Sequence, residues 1–109
     1  MRRLVKTLKL VDSPEAITAY RKAHDEIWPE IVKGIRSVGI ISMEIYLFGN
    51  LAVMIMETPD DLDIKTAMNK LATLPHQTEW EEFVGQFQEC SPGDTSDEKW
   101  KLMERVFSL

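Results

Sequence analysis

Residues 40–58 read IISMEIYLFGNLAVMIMET, two runs of β-branched, aromatic and aliphatic side chains on either side of Gly49-Asn50. A two-residue turn signal between strand-forming runs predicts a β-hairpin. Upstream of it, residues 12–39 carry a helical pattern, and Leu4 to Val11 has near period-two spacing with Leu4, Leu8 and Leu10 on one side, which predicts a strand. The helix opens at VDSPE, with Asp12 or Ser13 as N-cap, Pro14 in the first helical position and Glu15 in the first turn. Ile17, Tyr20, His24, Ile27, Trp28, Ile31, Ile35 and Val38 then recur at spacings of three and four up to Gly39. Pro29 lies inside this pattern, lacks a backbone donor and disfavours helical geometry at Trp28, so a break is expected between Asp25 and Trp28. Downstream of the hairpin, PDDLDIKTAMNKLATL (59–74) predicts a second helix, interrupted at Pro75 and resumed in HQTEWEEFVGQF (76–87). A polar loop, Cys90 to Glu98, leads to KWKLMERVFSL (99–109), read as the last strand. The order β-α-β-β-α-β is the ferredoxin-like split arrangement, an α+β fold with an antiparallel sheet. Its helices cover one sheet face, and the other needs water, a ligand or a second subunit.

The chain has 109 residues, room for one domain over 1–109. A formal net charge of −5 disfavours nucleic acid or an anionic membrane surface as partner, since both attract clustered Lys and Arg. No apolar run approaches the roughly 20 residues that cross a bilayer. Lys6 and Lys9 interrupt what would be the apolar region of a signal peptide, and Cys90 is the lone cysteine, so a reducing cytoplasm is the expected compartment.

No phosphate-binding glycine loop, paired cysteines, HExxH or GxSxG motif is present, and two histidines make a poor metal site, so no metal is expected. His24 stands on the apolar side of the first helix. It reads either as a core histidine satisfied by one hydrogen bond or as a catalytic group, with Tyr20 one turn earlier as its neighbour. A Tyr-His pair supplies both a proton donor and an acceptor near neutral pH. Trp28 reads as core packing, or as an indole that the helix break turns towards a pocket. Trp80 shares a face with Phe83 and Phe87 and reads as core or as a platform on which a sugar ring stacks. Glu44 and Glu57 are anomalies in the hairpin; Glu44 and Tyr46 on one strand face would make it polar enough to bind a ligand, against the simpler reading of a solvated face. His76, at a helix start, is expected in solvent.

Tyr20-x3-His24-x3-Trp28-Pro29-Glu30 resembles the signature helix of the L-rhamnose mutarotase family. The resemblance extends to the opening strand, VGIISMEIYLF with LAVMIMET, EWEEF around Trp80 and the closing LMERVF, nearly the whole chain in order. It implies a cofactor-free homodimer of ferredoxin-like subunits, of the dimeric α/β-barrel type, that interconverts the α and β anomers of a 6-deoxy-hexose. Carried over by position, it implies His24 and Tyr20 as catalytic residues and Trp28 and Trp80 as sugar-binding ones. This chain departs from the rhamnose-type pattern at Met43, where a tyrosine is usual, and at Glu81, where a second tryptophan is usual. With Glu44 beside it, Met43 is therefore expected to shape the substrate site, and MEIYLFGNLAVMIMET with EKWKLMERVF looks like the fucose-associated branch. L-Fucose is expected ahead of L-rhamnose. A cofactor-independent monooxygenase of similar fold and a non-enzymatic sugar-sensing module are the alternatives.

Overall fold

A computed structural model describes residues 1–109. Strand β1 (Arg2–Lys9) is followed by helices α1 (Pro14–Asp25) and α2 (Pro29–Ser37), the hairpin β2 (Ser42–Phe48) and β3 (Leu51–Thr58), helices α3 (Ile64–Leu71), α4 (Gln77–Gly85) and α5 (Ser96–Lys99), and strand β4 (Lys101–Leu102). The four strands form one sheet in the order β2-β3-β1-β4, and every neighbouring pair is antiparallel. This is the ferredoxin-like α+β arrangement expected from the element order.

Strand alternation decides which face meets the helices. Leu8, Leu10, Ala52, Met54, Met56 and Thr58 are all buried on one side of the two central strands. Val5, Thr7, Val53, Ile55, Tyr46 and Phe48 lie on the other, which no helix covers, and Phe48 is 86% exposed. The turn is tight because Gly49 adopts φ 58°, a value suited to the first central position of a two-residue hairpin turn.

The helix starts follow local chemistry. The Ser13 hydroxyl accepts from the Ala16 amide ahead of α1, and the Asp63 carboxylate accepts from Thr66 ahead of α3. The break before Pro29 is present: α1 stops at Asp25, Trp28 is extended (φ −66°, ψ 131°), and α2 restarts at Pro29. Two segments differ from expectation. The loop after Cys90 contains α5, because Thr95 and Glu98 form a reciprocal capping box that starts a helical turn in an otherwise polar stretch. The closing strand is two residues long. Beyond the Met103 amide, which donates to the Val5 carbonyl, the chain leaves the sheet and exposes Val106, Phe107 and Leu109. These side chains bury little of their apolar surface within one subunit, so burial does not extend the strand over them.

Gly39 ends α2 at φ 104°, and a Cβ there would meet the Leu62 Cδ1 methyl at 3.1 Å. Gly39→Ala is expected to lower unfolding free energy by about 1–3 kcal/mol, measured by urea denaturation; a change within 0.5 kcal/mol would show that the turn relaxes freely.

Candidate active site

The last turn of α1 holds His24, with Tyr20 one turn back. His24 Nδ1 lies 2.9 Å from the backbone carbonyl oxygen of Tyr20, one turn back. A carbonyl only accepts, so Nδ1 carries the proton and Nε2 keeps its lone pair. Desolvation is the largest influence on the imidazole and holds its pKa below the ordinary value; the Tyr20 carbonyl and the charges of Asp25 and Glu81 act the other way. The ring is therefore neutral at neutral pH. Tyr20 is 2% exposed, and burial, chiefly, pushes its phenol above the usual range, with the Gln88 amide opposing and the Glu81 charge adding. The phenol stays protonated. A neutral imidazole acceptor thus stands beside a protonated phenol, with ring centroids 4.4 Å apart, and such a neighbourhood can supply both a proton acceptor and a donor.

Behind the imidazole stands an aromatic wall. The Trp80 ring meets His24 edge-on at 5.4 Å and Trp28 at 5.2 Å, and Trp28 stacks on Phe83 at 5.8 Å. Trp80 is 5% exposed, so it packs against His24 rather than offering an open platform for a sugar ring. Neither indole lines the two clefts that contain His24. The first cleft, about 340 Å³, lies between α1, α2 and β2 and is mostly apolar, with Ile27, Val32, Ile35, Ile40 and Met43, and with Arg36 and Ser42 among its few polar residues. The second, about 390 Å³, continues past His24 to Tyr20, Arg21, Asp25, Tyr46 and Leu47, and Ile45 belongs to both. Both volumes suit a small organic ligand.

The structure thus brings His24, Tyr20 and Met43 together and seats Trp28 and Trp80 one layer behind. Glu44 is not with them. It is adjacent to Met43 on a strand, so its side chain points to the helix-free face, where the Tyr46 hydroxyl donates to its carboxylate at 3.3 Å. Glu57 is on that face too, held by Ser42 at 2.8 Å and Arg3 at 3.6 Å. His76 is half exposed and paired with Glu79, away from both clefts. Arg21, Asp25, Ile45 and Gln88 were not singled out from the sequence, although Arg21 and Asp25 are i, i+4 neighbours flanking His24 and could have been.

Glu81 is not free to act on a ligand. Its Oε1 accepts from Lys99 Nζ at 3.0 Å, its Oε2 from Gln77 at 2.8 Å, and the same lysine donates to its backbone carbonyl at 2.7 Å. The Lys99 side chain is 2% exposed. The pair ties α4, and with it Trp80, to the turn before β4. No group of three or more His, Cys, Asp or Glu side chains converges as a metal site, and no helix is long and apolar enough to cross a membrane.

A ferredoxin-like fold with a neutral imidazole at the junction of two clefts, beside a protonated phenol, is an arrangement that can move protons on a small polar ligand. A family model described as L-rhamnose mutarotase matches residues 3–109. The chain is 34% identical over 111 residues to an L-fucose mutarotase of Xanthomonas campestris pv. campestris, covering 100% of this chain and 89% of that one. It is 30% identical over 87 residues to an L-rhamnose mutarotase of Jannaschia sp. (strain CCS1), covering 77% and 79%. The crystal structure of the L-rhamnose mutarotase FA22100 from Formosa agariphila superposes with a TM-score of 0.77 at 21% identity, covering 100% and 99% of the two chains, a likeness of fold. The chain belongs to the L-rhamnose mutarotase family, as the helix motif implied, and is an isomerase of the carbohydrate mutarotase class.

Because Lys99 is buried against Glu81, Lys99→Met leaves a carboxylate without its counter-charge, and a loss of about 3–5 kcal/mol is expected in denaturant unfolding. The double variant Lys99→Met/Glu81→Leu should recover much of that loss; equal stability of the single and double variants would show that the pairing is immaterial.

Proposed function

We propose that the protein interconverts the α and β pyranose anomers of a 6-deoxy-hexose, with L-fucose the first candidate and L-rhamnose the second. The observation that carries this reading is the Nδ1 contact to the Tyr20 carbonyl, which leaves the neutral Nε2 of His24 as a base at the junction of the two clefts. Nε2 takes the proton of the anomeric hydroxyl while the C1–O5 bond breaks, C1 becomes the aldehyde carbon, and O5 receives a proton from the Tyr20 phenol. After rotation about C1–C2, O5 closes on the other face of C1. Imidazolium then returns its proton to O1, and phenolate accepts the O5 proton. The balance closes within the sugar and the two side chains, and the proposal uses no cofactor. Met43 supports a 6-deoxy substrate, because it adds apolar surface beside Ile27 and Ile40 where the C5 methyl group would lie. Trp80 acts here by holding the imidazole, and Trp28 by packing against Trp80. Glu44 has no part in the cleft.

The functional unit in this proposal is a homodimer in a reducing cytoplasm. Its support is the uncovered sheet face, the exposed tail beyond Met103, and a groove between Arg2–Val5 and the residues Leu102–Ser108. A second copy is the occupant that brings a matching apolar face and tail together by symmetry. Sedimentation at micromolar concentration should give a dimer, and a chain ending at Met103 should give a monomer; a full-length monomer would exclude this assembly.

Anomer exchange followed by NMR tests the chemistry. His24→Ala is expected to slow exchange by about 100-fold or more, within the range for general acid–base catalysis, and Tyr20→Phe should slow it as well. Since burial lowers the His24 pKa, the active neutral form persists below the usual histidine value of about 6.5, and kcat/KM should begin to fall only at more acid pH. Unimpaired exchange by His24→Ala would overturn the mechanism. Faster turnover of L-rhamnose than of L-fucose would overturn the sugar preference alone.

A further inference from the structure

The hydrogen-bond register of the sheet gives β2 a property that side chains do not reveal. The Leu10 amide donates to Asn50 O, and the Ile41 amide donates to Glu57 O. In an antiparallel ladder each residue turns its N–H and C=O to the same side, and successive residues alternate. With the observed pairing, even-numbered residues of β3 therefore bond to β1, and odd-numbered ones to β2. On β2, Ser42, Glu44, Tyr46 and Phe48 face β3, and Met43, Ile45 and Leu47 turn their peptide groups outward. β2 is a terminal strand, so no further strand receives them. None of these six groups takes part in any turn, loop or side-chain hydrogen bond either.

The residues with free peptide groups are the same ones whose side chains line the clefts. Met43 lines the apolar cleft, Leu47 the polar one, and Ile45 both, on either side of His24. On the mutarotase reading, on which this inference rests, the imidazole addresses the anomeric centre, between O5 and C1. The ring carbons flanking that centre are C5, which bears the methyl group, and C2, which bears a hydroxyl. A methyl group belongs in the apolar cleft, so the C2 hydroxyl enters the cleft with Arg21, Asp25 and the β2 edge. A hydroxyl both donates and accepts, and one outward-facing residue of a strand offers both an acceptor and a donor. We propose that the unpaired peptide group of Ile45 binds the C2 hydroxyl and so reads the configuration at carbon 2. That carbon carries an axial hydroxyl in L-rhamnose and an equatorial one in L-fucose, so the strand edge bears on the choice between them.

The test replaces the Ile45 amide by an ester, using the α-hydroxy analogue of isoleucine in semisynthetic protein. This deletes one N–H and keeps the side chain. Ile45→Pro deletes the same N–H genetically, and since that group lies outside the β2–β3 ladder an edge strand tolerates it. Anomer exchange is measured on the 6-deoxy-hexose and on its 2-deoxy analogue. Expected is a loss of about three- to tenfold in kcat/KM on the parent sugar, the worth of one hydrogen bond, with no change on the analogue. Equal loss on both sugars, no loss on either, or dissociation of the dimer in the ester variant would overturn the proposal, the last because the edge would then be a subunit contact. Wild-type protein that accelerates neither sugar would overturn the mutarotase reading and this inference with it; wild-type exchange on both, without a selective loss in the variant, would overturn the inference alone.

Discussion

Pro29 cannot donate a backbone hydrogen bond, and it holds the residue before it in extended backbone. This one constraint ends α1 just beyond His24. The imidazole consequently sits in a terminal turn, beside an opening, instead of at mid-helix against a continuous wall. The same break turns Trp28 into contact with Trp80 and Phe83, and Trp80 in turn meets the imidazole edge-on. Restarting α2 at Pro29 directs Ile31 into the core and lets Val32 and Ile35 form one side of the apolar cleft. The cleft beside the imidazole and the aromatic backing behind it both follow from where one helix is forbidden to continue.

The electrostatic design follows from burial. Two cations, Lys6 and Lys99, are drawn under the sheet and the helices, each beside a carboxylate, Asp97 and Glu81 respectively. Such pairs gain little net stability over apolar residues, because desolvation offsets the attraction. They do fix geometry. Lys99 also bonds a backbone carbonyl of α4, so it locks the helix that presents Trp80. His24 and Tyr20 are tuned the opposite way: burial dominates, and it keeps the imidazole neutral and the phenol protonated.

What was legible in the sequence was what is local. The Gly49-Asn50 turn, the Ser13-Pro14 helix start and the Pro29 break each depend on residues within a few positions, and each is present in the fold. The pairing of Tyr20 with His24 is also local, one helical turn. The Lys99–Glu81 pair spans 18 residues and two elements, and no spacing rule connects them. Burial of Trp80 was undecidable for the same reason, since an aromatic stripe packs inward or lines a pocket with equal periodicity. The sequence pattern runs the closing strand to Leu109, and the fold stops it at Leu102, because the apolar residues after Met103 are left exposed within one subunit. Glu44 is a different matter: strand parity alone separates it from Met43, and a one-residue offset suffices to keep Glu44 out of the cleft that Met43 lines.

That parity has a consequence for how the hairpin can vary in length. Residues added at the Gly49-Asn50 tip loop outward and leave the β2–β3 register intact. One residue added between Ser42 and Phe48 would do two things at once. It would move Glu44 or Tyr46 into the cleft in place of Met43 or Ile45, and it would interchange the bonded and unbonded peptide groups along part of the strand. Side-chain lining and backbone availability are thus inherited together as a single digital choice, and the strand tolerates changes of composition far better than changes of count.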